Sequence, residues 1–233
     1  MAWRRLALGA ALCGALLSAG ALARADERRV LATYRESGER FEGALAAERR
    51  GLSDEARAGY AEALARDPDF VEALVNLARL ELAAGEPDAA TARLERAERI
   101  RPDYPMVAAT RGLLALAHGD LPGALDALSR AHRLAPADAE IAVNLGAVLI
   151  RRGRLEEARQ VLGALLHAQP DHSDALYNLA LADDLAGRSD AASLGYQRFL
   201  GLAAQDDPAR EGVQGRLEAL SASNDERRRD DGE

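Results

Sequence analysis

An all-α fold, a helical solenoid of about five helix-turn-helix units closed by a C-terminal helix, is predicted by three observations in the 233-residue sequence. Gly51, Gly85, Gly119, Gly153 and Gly187 stand 34 residues apart, and Pro68, Pro102, Pro136 and Pro170 keep the same interval. Ala56, Ala90, Ala124, Ala158 and Ala192 follow the glycines by five residues, with Tyr60, Leu94, Leu128, Leu162 and Tyr196 four residues further on. A 34-residue period is the length of one helix pair, and such units stack because none buries its apolar face alone.

Each marker has a physical job. A small residue followed at i+4 by a large apolar one makes a helical face, on which the alanine admits a neighbouring helix and the larger side chain fills the space one turn on. Each glycine ends the first helix of its unit by taking positive φ. Each grid proline stands eight residues beyond the large residue, where the second helix cannot continue through it.

The pattern resembles the tetratricopeptide repeat, W-x2-L-G-x2-Y, then A-x3-F, then P. The fourth unit carries it in Ala142, Leu145, Gly146, Leu149, Ala158, Leu162 and Pro170. The second carries Leu74, Leu77, Ala78, Ala90, Leu94, Ala97 and Pro102; the fifth carries Leu176, Leu179, Ala180, Ala192, Tyr196 and Phe199, with Ala204 in place of proline. Departures fall in first helices: Arg111 replaces a core leucine, and Arg40 and Gly43 occupy the corresponding region of the first unit. The resemblance covers about three quarters of the chain. It implies a right-handed solenoid, no catalytic residues, no cofactor and no metal, with a protein or peptide as partner.

From the N-terminus, Arg4 and Arg5 precede an uncharged run from Leu6 to Ala23, followed by the small-x-small sites Ala21-Leu22-Ala23 and Ala23-Arg24-Ala25. This is the layout of a secretory signal peptide spanning 1–25, with Asp26 left at the mature N-terminus. The alternative is an uncleaved inner-membrane anchor, since the 18-residue run is near the lower limit for spanning a bilayer. Leu12 immediately before Cys13 argues against a lipidation signal at that cysteine. A helical lead-in is expected over 26–36, then units at 37–70, 71–104, 105–138, 139–172 and 173–206. Asp207-Pro208 opens an expected capping helix over 207–220, with Val213, Leu217 and Leu220 on one side. Residues 221–233 hold no apolar side chain larger than alanine and read as a disordered tail.

Composition narrows the function. The net charge of −8 becomes −11 without residues 1–25, because Arg4, Arg5 and Arg24 leave with no acid. Such an acidic body excludes nucleic acid as a partner class. All 30 basic residues are arginine. With the cleavage site, this usage points to a bacterial periplasmic protein.

In tetratricopeptide proteins the first helices line the concave face, so their positions at i, i+3, i+4 and i+7 give the expected groove. These are Phe41 and Leu45; Val75, Asn76, Arg79 and Leu82; Met106, Thr110, Leu113 and Leu116; Val143, Asn144, Ile150 and Arg151; and Tyr177, Asn178 and Leu181. Asn76, Asn144 and Asn178 share one place in their units, with Thr110 in the fourth. An asparagine amide donates and accepts, so repeated amides can pair with the backbone of an extended ligand, as in the asparagine ladder of tetratricopeptide superhelices. The competing reading is that each amide bonds along its own helix. The family's clamp for terminal carboxylates uses lysines, and the sequence has none. Arg79 and Arg151 remain to meet an acidic group, or act as ordinary helix charges.

The densest polar cluster runs from His167 to Asp174 and would bear on zinc only if a further ligand converged. It spans a turn between units, where Pro, Asp, His and Ser serve as turn and N-cap residues. Phosphate-loop, nucleophile-elbow and zinc-protease motifs are absent from the sequence. The expectation is a non-catalytic periplasmic scaffold or adaptor that binds an extended segment or amphipathic helix during envelope-complex assembly. The alternative is a membrane-anchored accessory subunit of an envelope enzyme, pilus or secretion complex.

Overall fold

The computed structural model describes residues 31–230, with side chains through 222. The expected signal peptide and its cleavage site lie outside the described residues. A helix described over 31–49 (α1) is followed by α2 (Ser53–Arg66), α3 (Val71–Ala83), α4 (Pro87–Ile100), α5 (Pro105–Ala117), α6 (Leu121–Leu134), α7 (Ala139–Arg151), α8 (Leu155–Ala168), α9 (Ser173–Leu185), α10 (Ser189–Leu202) and α11 (Ala209–Asp230). No strand occurs among the described residues.

The turns follow from backbone chemistry at the glycine grid. All five glycines take φ between +71° and +77°, a region costly for any side chain. In each turn the N–H after the glycine reaches back to a carbonyl five residues earlier at 2.8–3.0 Å, as from Glu86 to Glu81 and from Arg154 to Leu149. The glycine's own N–H bonds the carbonyl three residues before it, completing a Schellman cap. Asp120 and Asp138 cap α6 and α7 by accepting the N–H groups of Gly123 and Ile141 at 2.9 and 3.0 Å. Prolines stand in the first turns of α4, α5 and α6, where a missing N–H costs nothing.

The chain divides into two compact units, one ending at Arg101 and one beginning at Pro102. In the first, α3 packs against α2 and α4, and the core gathers Ala44, Ala47, Ala56, Tyr60, Ala63, Ala73 and Leu77. In the second, each helix from α5 to α11 packs against the next, and α7 also lies beside α9. All five grid alanines and their large partners are buried.

Close approach of the two helices in a unit is achieved in two ways. Where the large residue is Leu128 or Leu162, the glycine lies opposite on the first helix. A Cβ added at Gly112 or Gly146 would stand 2.6 or 2.7 Å from that leucine. Where the large residue is Tyr60 or Tyr196, the glycine precedes it on the second helix. A Cβ at Gly59 or Gly195 would meet Ala44 or Ala180 at 2.9 or 2.8 Å. Each arrangement places one glycine where the backbones are nearest.

Asp207 accepts the Ala209 N–H at 2.8 Å at the start of α11, and Val213 and Leu220 are buried against Leu176, Tyr196 and Phe199. This helix differs from the expected 207–220 span, because it continues to Asp230 through ten residues read from sequence as disordered. Low hydrophobicity argued against burial there, but no glycine or proline interrupts 216–231, so nothing in the backbone ends the helix. No described helix is long and apolar enough to cross a membrane.

Candidate partner-binding face

The first helices carry the candidate face, and the structure sorts its expected residues into three groups. Val75, Thr110 and Ile150 are corrected: all three are buried, and none is available to a ligand. The Thr110 hydroxyl donates to the Met106 carbonyl at 2.8 Å, so this short β-branched side chain satisfies itself along its own helix. Asn76, Arg79, Leu113, Asn144, Tyr177, Asn178 and Leu181 are half-buried, as a groove lining requires. Arg151 is exposed and makes no ion pair among the described residues.

The three asparagines differ in their bonding. Asn76 donates to the Tyr60 hydroxyl at 3.3 Å, and Tyr60 in turn donates to Glu48 Oε2 at 2.6 Å. Asn178 donates to the Asp174 carbonyl at 2.8 Å, the pairing along its own helix that competes with ligand contact. Asn144 alone makes no intramolecular hydrogen bond among the described residues, which leaves both faces of its amide to an incoming group.

Tyr60 and Tyr196, at the same place in the first and fifth sequence units, each hold a carboxylate twelve residues earlier. Tyr196 donates to Asp184 Oδ2 at 3.3 Å, while Arg216 of α11 grips the same carboxylate at 2.6 and 2.5 Å. Burial and then the neighbouring Glu48 or Asp184 push both phenols above their usual range. In the first unit Phe41 packs on Tyr60 and Phe70 with ring centroids 5.5 and 4.8 Å apart. In the second, Tyr177 lies 6.4 Å from Tyr196 and 5.4 Å from Phe199.

Beside that second aromatic group opens a cleft of about 440 Å³, lined by Tyr177, Leu181, Leu185, Tyr196, Val213 and the Asp184–Arg216 pair. Its α11 wall escaped the sequence reading. The signal was present, because Gly212 stands 34 residues after Asn178 and Val213 stands 34 after Leu179. The capping helix therefore occupies the place of a further first helix, with glycine at the asparagine position.

Carboxylates buried elsewhere on the first helices are structural. Glu81 and Asp183 hold one place three sequence units apart; Glu81 accepts from Arg93 at 2.8 Å, and Asp183 from Arg159 at 2.5 Å and Arg188 at 3.4 Å. Arg188 and Arg159 also hold the Glu156 carboxyl below its ordinary range. In the polar cluster, His172 Nδ1 accepts the Ala175 N–H at 3.4 Å and so caps α9. Among the described residues no three His, Cys, Asp or Glu side chains converge as metal ligands.

The family model for the tetratricopeptide repeat matches residues 49–114 and 115–182. No functionally curated protein matches the sequence. Three solved structures share the fold. TTC0263, a tetratricopeptide protein of Thermus thermophilus, is 23% identical over 80% of this chain and 99% of its own, with a TM-score of 0.65. PilW, a widely conserved type IV pilus biogenesis factor, is 20% identical over 80% of this chain and 91% of its own, with a TM-score of 0.65. YrrB, a tetratricopeptide protein with an unusual peptide-binding site, is 21% identical over 76% of this chain and 91% of its own, with a TM-score of 0.56.

Proposed function

Because the chain belongs to the tetratricopeptide repeat family, whose fold is a protein-interaction scaffold, we propose that it is a non-catalytic adaptor of the bacterial periplasm. It binds a segment of another envelope protein on the first-helix face of its second unit. The carrying observation is the lining there. Leu113, Val143 and Leu181 are half-buried rather than sealed, while Asn144 keeps a free amide and Arg151 a free charge beside them. A surface of this kind gains by covering apolar area and fixes its ligand through a few polar groups. The likeness to PilW supports an envelope setting, as does the signal-peptide layout of residues 1–25. The second reading, an accessory subunit anchored by an uncleaved N-terminal helix, rests on the same apolar run from Leu6 to Ala23.

The test is capture of envelope proteins by purified chain carrying either Leu113→Glu or the pair Asn144→Ala and Asn178→Ala. Both variants are expected to weaken capture of a partner that the wild-type chain retains, with helicity and melting temperature nearly unchanged. Capture unaffected by Leu113→Glu would remove the face from consideration. If the asparagine pair has no effect while Leu113→Glu does, the ligand is held by apolar contact without the amide ladder.

A further inference from the structure

We propose that the cleft between α9 and α11 is an anchor subsite for one large apolar side chain of a partner segment that also carries a carboxylate nearby. The inference rests on the adaptor reading and names the chemistry that the face selects. The cleft's volume of about 440 Å³ falls within the range of ligand-sized pockets. Its walls are the rings of Tyr177 and Tyr196 with Leu181, Leu185 and Val213, and Leu185 is 59% exposed at the mouth. An apolar side chain entering there would cover Leu185 and gain ring contacts that water cannot supply.

Gly212 is what keeps the space open. It holds the place that Asn178 holds one helix earlier, and a Cβ built on it meets nothing within 4 Å. The acid lining the cleft is already answered: Asp184 is held by Arg216 and Tyr196, so it does not demand a cation from the ligand.

The charge requirement comes from the adjoining helix. Arg151 occupies in α7 the place of Leu185 in α9, and the two helices lie side by side, about 8–10 Å apart at their axes. Arg151 and its neighbour Arg152 are exposed and form no ion pair among the described residues. A segment seated with its apolar residue in the cleft therefore brings its neighbouring residues to an unanswered positive edge, where a carboxylate gains and a lysine or arginine is repelled.

Selection from a random dodecapeptide display library against the whole chain tests this directly. Enriched peptides are expected to share a large apolar residue with Asp or Glu close to it. Gly212→Leu, which fills the cleft while raising helix propensity, should weaken them about tenfold or more. Gly163→Leu on α8, where an added Cβ also meets open space, should leave binding unchanged. Arg151→Gln should weaken binding about two- to fivefold, with reduced salt dependence. Peptides that bind Gly212→Leu as tightly as wild type but are lost with Leu113→Glu would overturn the subsite while leaving the adaptor reading standing. Enrichment without acidic residues would overturn the charge requirement, and absence of any enriched peptide would overturn the adaptor reading with it. A wild-type dimer converted to monomer by Gly212→Leu would put a second copy of the chain in the cleft, contradicting the proposal.

Discussion

Leu162→Ala is expected to destabilise the second unit by about 2–5 kcal/mol, the range for truncating a fully buried leucine whose surroundings cannot collapse. Leu162 is 0% exposed and sits in the cluster that includes Ala142, Leu145, Val148, Leu149, Ala158 and Leu165. Its terminal carbons lie over Gly146 on the facing helix. Glycine has no side chain to swing into the vacated space, and backbone shifts would disturb α8 against α9 as well as α7 against α8. Repeat arrays need not unfold in one step. Denaturant midpoint should therefore be read together with hydrogen exchange across α7 and α8, where protection should fall first. A loss below about 1 kcal/mol would mean that the site repacks freely.

Gly146→Ala is expected to destabilise even though alanine is the better helix former by about 1 kcal/mol. The added methyl would stand 2.7, 2.8 and 2.9 Å from three side-chain carbons of Leu162, nearer than real Cβ contacts. Overpacking costs about 1–3 kcal/mol, leaving a net loss of about 1–2 kcal/mol once propensity is credited. Two comparisons isolate the cause. Gly163→Ala, with open space around the new methyl, should gain a few tenths to about 1 kcal/mol. Gly146→Ala combined with Leu162→Ala should cost less than the sum of the two, because the methyl enters the cavity left by the leucine. Gly146→Ala that stabilises as Gly163→Ala does would refute the close approach of α7 and α8. Thermal or denaturant melts of the four variants suffice.

These two positions also show how far the sequence can be read. The turns were legible because a Schellman cap needs one residue at positive φ, and glycine marks it at Gly51, Gly85, Gly119, Gly153 and Gly187. The buried stripe was legible because a small-large pair such as Ala158 and Leu162 has one packing use. The ligand face was less so. Helical spacing puts Val75, Thr110 and Ile150 beside the groove, but only the neighbouring helices determine that those side chains are sealed. Nor does spacing reveal that Tyr196 reaches Asp184, or that Arg216 joins them from a helix read as a cap. Those contacts link residues on three helices, and no local propensity encodes them. The helical run to Asp230 was missed for the opposite reason: low apolar content argues against burial but leaves an uninterrupted backbone free to continue its helix.

The central claim is that the first helices of the second unit, and not its second helices, hold the partner. Leu185 on α9 and Leu194 on α10 test it, since they are almost equally exposed, at 59% and 62%, on helices of opposite kind. A photo-crosslinking side chain placed at each in turn, in cells carrying the full-length chain, should give a discrete partner adduct from position 185 and none from position 194. An adduct from 194 alone, or equal adducts from both, would contradict the account.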